Sequence, residues 1–349
     1  MKKNAHKTSK EAAAAVAAAG AVAVGGKLAW DRLSGKPEDE REYRLHVDEA
    51  IPDGIRRIAR GQLDSSAEEL GKASDRKIGD AVHETRKSLK RLRAVVRVAR
   101  AGIGDDRYRR ENAEFRETGR LLSDARDSKV LIETLDGLTE HAGEELAPVV
   151  TAKLRSRLED EHARALEGLR QDSSVVEAVL AKLTAARRRT PRWAFHADGF
   201  DALTPGLART YRRGRKRMRA AAADPSTENF HEWRKRVKDF WHACQIVRPA
   251  APKKMKRLAK RAHRLSDLLG DDHDLAVLRG YVETHPHDFA DDDVRTALVA
   301  LINRRRRVLQ REALEVGAGV FKQSPKQFAR GVERGWRKRS PEKPQPAIA

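Results

Sequence analysis

One cysteine, Cys244, is all the thiol this sequence has. That excludes an intramolecular disulfide framework and fits a reducing compartment, so a cytoplasmic location is expected. Aromatic residues make up only 5% of the chain, with four tyrosines. Proteins that grip single-stranded nucleic acid stack bases on aromatic rings worth ~1–3 kcal/mol each, so the scarcity favours a partner with charge and no bases. Carboxylates are also short: 52 Asp and Glu face 73 Lys and Arg, a net charge of +21. Such self-repulsion calls for a polyanion, whether nucleic acid, an anionic membrane surface or a phosphate polymer. No phosphate loop, Gly-x-Ser-x-Gly elbow, acidic metal cluster or activated nucleophile is present, and the reading is non-enzymatic, with no cofactor. The near-miss from Gly20 to Lys27 has the wrong glycine spacing and places Leu28 where Ser or Thr is needed.

Residues 1–40 form a separate piece in which a basic start leads into an Ala/Val/Gly run from Ala12 to Gly26. The run is marginal for a span and alanine is weakly apolar, so a mobile, partly helical tail is expected in preference to a transmembrane helix or signal peptide. Docking on a membrane or granule surface is the alternative. Residues 41–336 carry helical periodicity nearly throughout, with no sustained strand alternation. Gly, Pro and Asp clusters divide them into nine or ten predicted helices, with breaks that include Gly102 to Asp106, Asp124 to Asp127 and Gly270 to Asp274. The proline-rich segment 337–349 is expected to be disordered.

An internal repeat is the most informative feature. Val82-His83-Glu84-Thr85-Arg86-Lys87-Ser88-Leu89-Lys90 matches Phe230-His231-Glu232-Trp233-Arg234-Lys235-Arg236-Val237-Lys238. Downstream, Leu121-Leu122-Ser123-Asp124-Ala125-Arg126-Asp127 pairs with Leu268-Leu269-Gly270-Asp271-Asp272-His273-Asp274. Upstream, Gly54-Ile55-Arg56-Arg57 pairs with Gly206-Leu207-Ala208-Arg209, and Arg60 with Arg212. The chain therefore reads as two copies of one helical unit, about 41–190 and 191–336.

At about 100° per residue, Val82, Thr85, Leu89, Leu92, Val96 and Ala99 form one stripe. Phe230, Trp233, Val237, Phe240, Cys244 and Val247 form its counterpart, and this apolar row is the expected buried seam. Cys244 is therefore read as a core residue, not a nucleophile. One position on lie His83, Arg86, Lys90, Arg93, Arg97 and Arg100 in the first copy, and His231, Arg234, Lys238 and Arg248 in the second. Lys87 and Lys235 widen the row. A basic row beside the seam lines a crevice between helices, where uncompensated cations are costly unless an anion joins them. The second copy has Trp241 and Gln245 where the first has Arg93 and Arg97, so the first is expected to be the stronger half. The histidines are expected in the first turns of their helices, just after Asp80 and either Asp224 or Thr227 as caps, where backbone N–H groups already favour anions. Either they contact an anion or they cap and pack locally. The Asp-rich junctions read as helix stops and starts with Asp127 and Asp274 as N-caps. Divalent-cation binding by Asp271, Asp272 and Asp274 is a weaker alternative, and zinc lacks both a His-Glu-x-x-His spacing and a second thiol.

The paired histidine helices and the two Leu-Leu-x-Asp-x-x-Asp-x-x-Val-Leu segments, Leu121 to Leu131 and Leu268 to Leu278, resemble the conserved-histidine α-helical domain (CHAD) family. The resemblance implies an all-α fold of two pseudo-symmetric four-helix bundles around a basic central channel. It also implies binding of inorganic polyphosphate and association with polyphosphate granules; on charge alone, nucleic acid is the runner-up partner, and polyphosphate or triphosphate hydrolysis comes third. By matching position it places His83, Arg86, Lys87, Lys90, His231, Arg234, Lys235 and Lys238 on the ligand face, with Arg57, Arg60, Arg209 and Arg212 as additions. Many relatives carry a triphosphatase domain marked by Glu-x-Glu-x-Lys. Glu40-Arg41-Glu42-Tyr43-Arg44 imitates it with Arg for Lys and no preceding strands, and is read as chance.

Overall fold

The computed structural model describes residues 43–74, 77–122, 124–143, 148–171, 173–289 and 291–340. The Ala-rich segment and the end of the proline-rich tail lie outside them. Among the described residues there are twelve α-helices and no strand. The first copy supplies α1 (Ile51–Gly71), α2 (Ile78–Val98), the short α3 (Arg100–Ile103), α4 (Asp105–Arg120), α5 (Asp124–Ala142), α6 (Pro148–Gln171) and α7 (Ser173–Arg189). The second supplies α8 (Thr204–Ala223), α9 (Thr227–Ile246), α10 (Pro252–Thr284), α11 (Asp292–Val320) and α12 (Pro325–Arg337). Pro52 and Pro205 sit in the first turns of α1 and α8, where the missing N–H has no helical partner to lose.

The twelve seam residues are all buried, none more than 2% exposed. Element order follows the repeat: α1 and α8 precede the histidine helices α2 and α9, and α4 with α5 corresponds to α10. Packing does not follow the repeat boundary. Helices α1, α2, α4 and α7 pack together, as do α8, α9 and α12, and α2 lies against both α8 and α9. Helices α5 and α6 instead pack with α10 and α11 of the other copy. There Leu135, Leu138, Leu154 and Leu158 share a core with Leu275, Leu278, Val282, Leu298 and Ile302. Gly206 at the start of α8 permits the α2 contact, since a Cβ there would lie 2.0 Å from the Val98 carbonyl oxygen.

Several expectations about boundaries change. The break at Gly270 to Asp274 is absent: α10 runs unbroken for 33 residues. A mid-helix glycine costs about 1 kcal/mol. Against that, Leu269, Leu275 and Leu278 continue the buried face across the junction, and Asp272 turns inward to an arginine. Asp274 is thus mid-helix and not an N-cap. Asp127 likewise lies inside α5, which begins at Asp124. The cap of α9 is Ser226, whose hydroxyl accepts from Asn229 N, and Asp80 sits inside the first turn of α2. Order also reaches past residue 337, because the Ser340 hydroxyl donates to the Val47 carbonyl.

Candidate functional site

His83 is the sixth residue of α2 and His231 the fifth of α9. Both therefore sit in the second turn, beyond the free N–H groups of the helix start, and any anion contact is made by side chains. Within each motif the glutamate and second lysine pair locally. Lys87 Nζ donates to Glu84 Oε2 at 3.2 Å, and Lys235 Nζ to Glu232 Oε1 at 2.7 Å. The Lys235 bond holds Glu232 below its ordinary carboxylate value. The other basic groups of each motif are its histidine, its arginine and the lysine one turn on.

The two copies dispose of that arginine differently. Arg86 Nη1 donates to the Leu122 carbonyl at 3.0 Å, in the turn between α4 and α5. Its counterpart Arg234 lies over Gly270, where α10 runs straight through and its carbonyls are taken by the helix's own ladder. Arg234 Nε is consequently buried with no hydrogen-bond partner among the described residues. Beside it, His231 Nδ1 meets His273 Nδ1 at 3.0 Å, one ring donating to the other. Burial first, then the cationic surroundings, lowers both: Lys235 and Arg234 act on His231, and Arg234 and His231 on His273, which is held down to about 3. His273 was invisible as a partner because its segment read as a loop.

Lys90 and Lys238, one from each copy, both lie within electrostatic reach of His242. Both act, after burial and Arg91, to hold the buried His242 well below its ordinary value. Further along the same row, Arg97 Nη1 reaches Asp239 Oδ1 on α9 at 2.6 Å, and Arg236 takes the other oxygen at 3.2 Å. Arg93 and Arg97 also share Asn112 Oδ1 on α4, at 3.3 and 3.2 Å. Burial and then Arg97 push Arg93 down to about 10. Arg97, Arg100, Arg209, Arg213 and Arg236 line one narrow cleft whose only lining carboxylate is Asp239. Sequence pattern found Arg97 and Arg209 there. It missed Arg213, Arg236 and Asp239, which sit off the histidine register.

The remaining candidates diverge. Arg57 is engaged by both oxygens of Glu49, at 2.9 and 2.6 Å, and by the Arg44 carbonyl. Arg60 and Arg212 are exposed on α1 and α8. Asp272 is buried against Arg306 and Gln310, which removes it from the Asp271–Asp274 trio as a cation ligand. Among the described residues no three His, Cys, Asp or Glu side chains are grouped to hold a metal, and no helix is long and apolar enough to cross a membrane.

The histidines set a pH dependence. An imidazole held below its unfolded value stays neutral in the fold while the unfolded chain takes a proton, so its contribution is complete above about pH 7 and is lost as pH falls through ~6.5. His231, His242 and His273 all act in this direction. The urea midpoint should fall between pH 7.5 and 5, and His273→Gln should flatten that slope. An unchanged slope in the variant would contradict the burial of His273 as a neutral ring.

The CHAD domain family model matches residues 26–283. No curated protein matches the sequence significantly. Among solved structures, PptA from Streptomyces chartreusis is similar at a TM-score of 0.51 and 16% identity, over 79% of this chain and 99% of its own. At that identity the likeness speaks to the fold.

Proposed function

The chain belongs to the CHAD domain family, and on that premise we propose that it binds inorganic polyphosphate through the basic side chains around the α2, α8 and α9 junction, without turning it over. Family membership supports a polyphosphate-related role. The observation that carries the binding mode is the buried Arg234 Nε, a donor without an acceptor, set among His231, His273, Lys235 and Lys238. Burying an unsatisfied donor costs about 1–3 kcal/mol, so the guanidinium gains by turning out to meet a phosphoryl oxygen in a charge-assisted bond. The cleft around Asp239, with five arginines to one carboxylate, has the same deficit of negative charge.

The aromatic inventory supports a base-free ligand. Tyr211, Phe240, Phe321 and Phe328 are consumed in one core cluster, and Trp241 is stacked on His242 and tilted against His263. Association with polyphosphate granules belongs to the same proposal. Binding of long-chain polyphosphate should fall steeply with salt, with a log–log slope of about −3 or steeper if four or five cations are engaged. A slope near zero would contradict the reading, and sustained phosphate release with magnesium or manganese would move it to an enzyme.

A further inference from the structure

We propose that the groove between the start of α10 and helix α12 is a second phosphoryl-binding strip, which holds a stretch of the same polyanion outside the histidine crevice. The inference rests on the polyphosphate reading. The groove has a volume of about 650 Å³ and is lined by Lys254, Arg330, Arg334, Arg337 and Glu333. It shares no residue with the histidine row, and α12 lies beyond residue 283, where the family match ends.

Sequence builds the strip directly. In α12, Phe328, Ala329, Val332 and Trp336 are buried, which leaves Arg330, Arg334 and Arg337 as an i, i+4, i+7 row on the other face, about 10 Å long. The helix is fixed at its start by Pro325 and by a capping box between Ser324 and Gln327. Gly335 lets it press against the turn before α10, since a Cβ there would lie 2.4 Å from the Ala250 carbonyl oxygen. That contact brings the arginine row beside Lys254, whose Nζ lies across Gly331.

The charge in this groove is not internally balanced. Its one carboxylate, Glu333, accepts from Arg337 at 2.7 Å and from the Thr204 hydroxyl at 3.2 Å. No ion pair joins Arg330, Arg334 or Lys254 to a carboxylate among the described residues. Lys253, Lys254, Lys256 and Arg257 also crowd the first turns of α10, the end where the helix dipole disfavours cations. Arginine forks spaced along a helix suit successive phosphoryl groups of a linear chain. A chain held at two places gains affinity without new contacts at either.

The test compares the full-length protein with a variant carrying Arg330→Gln, Arg334→Gln and Arg337→Gln, with long-chain polyphosphate as the probe and single-stranded RNA in parallel. Affinity for polyphosphate should fall at least tenfold, and the salt slope should become shallower by about 2. The corresponding triple lysine variant should keep most of the binding. An unchanged affinity would overturn the proposal, as would a loss no greater than that from Arg304→Gln, Arg307→Gln and Arg311→Gln on α11, or a loss confined to RNA. If replacing His231, Arg234 and Lys238 weakens polyphosphate binding while the groove variant does not, only the groove inference falls. If the unmodified protein fails to bind polyphosphate, both readings fall.

Discussion

Replacing Arg306 with methionine is expected to destabilise the fold by about 3–5 kcal/mol, the cost of leaving a buried charge without its partner. Arg306 is 5% exposed and Asp272 2%. Arg306 Nε donates to Asp272 Oδ1 at 3.0 Å, Gln310 adds a bond at 2.8 Å to the same oxygen, and Arg306 Nη2 reaches the Thr227 hydroxyl at 3.1 Å. Burial already raises Asp272 above its ordinary value despite Arg306. Without the guanidinium the carboxylate keeps only Gln310. Three helices meet at this pair: α11 carries Arg306, α10 carries Asp272 next to His273, and Thr227 opens α9. The substitution should therefore also loosen the His231–His273 contact. Urea unfolding at pH 7 measures the first effect. The double variant Arg306→Met, Asp272→Leu should recover most of the loss, because no lone charge stays buried. A cost below about 1 kcal/mol for the single variant would mean that the carboxylate finds water.

Neutralising His83, Arg86, Lys90, His231, Arg234 and Lys238 together should lower polyphosphate affinity by roughly 10²-fold or more. Hydrogen bonds to charged groups contribute about 1.5–3 kcal/mol each, so two lost contacts suffice for that factor. The halves should contribute unequally, with His231, Arg234 and Lys238 costing more than His83, Arg86 and Lys90. Arg86 has the Leu122 carbonyl to return to, whereas Arg234 has a buried, unmatched Nε. This reverses the ranking drawn from Arg93 and Arg97 alone. Those two arginines are held by Asp239 and Asn112 at the meeting of the copies, so they belong to the junction as much as to the first half.

The seam was fully legible in the sequence because an amphipathic period is a local signal. Val82 to Ala99 and Phe230 to Val247 needed only a helical projection. The repeat was legible because both copies keep the same registers. The unbroken α10 was not: Gly270 and the aspartates around it carry ordinary stop signals, and the contact that overrides them comes from Arg306, far along the chain. The packing of α5 and α6 with the other copy was hidden for the same reason, since leucine stripes state that a face is buried but not against what. Asp239, Arg213 and His273 lie off the histidine register and become site residues only when α2, α8, α9 and α10 are brought together.

Competition binding separates a preference for polyphosphate from general polyanion affinity. Long-chain polyphosphate, single-stranded RNA, duplex DNA and heparin would be compared at matched charge and about physiological salt, each displacing a labelled polyphosphate from the full-length protein. Polyphosphate should displace the label at a clearly lower concentration than any of the others. Equal or tighter binding of RNA would contradict that preference, since the same basic surface would then be reading a base-bearing chain.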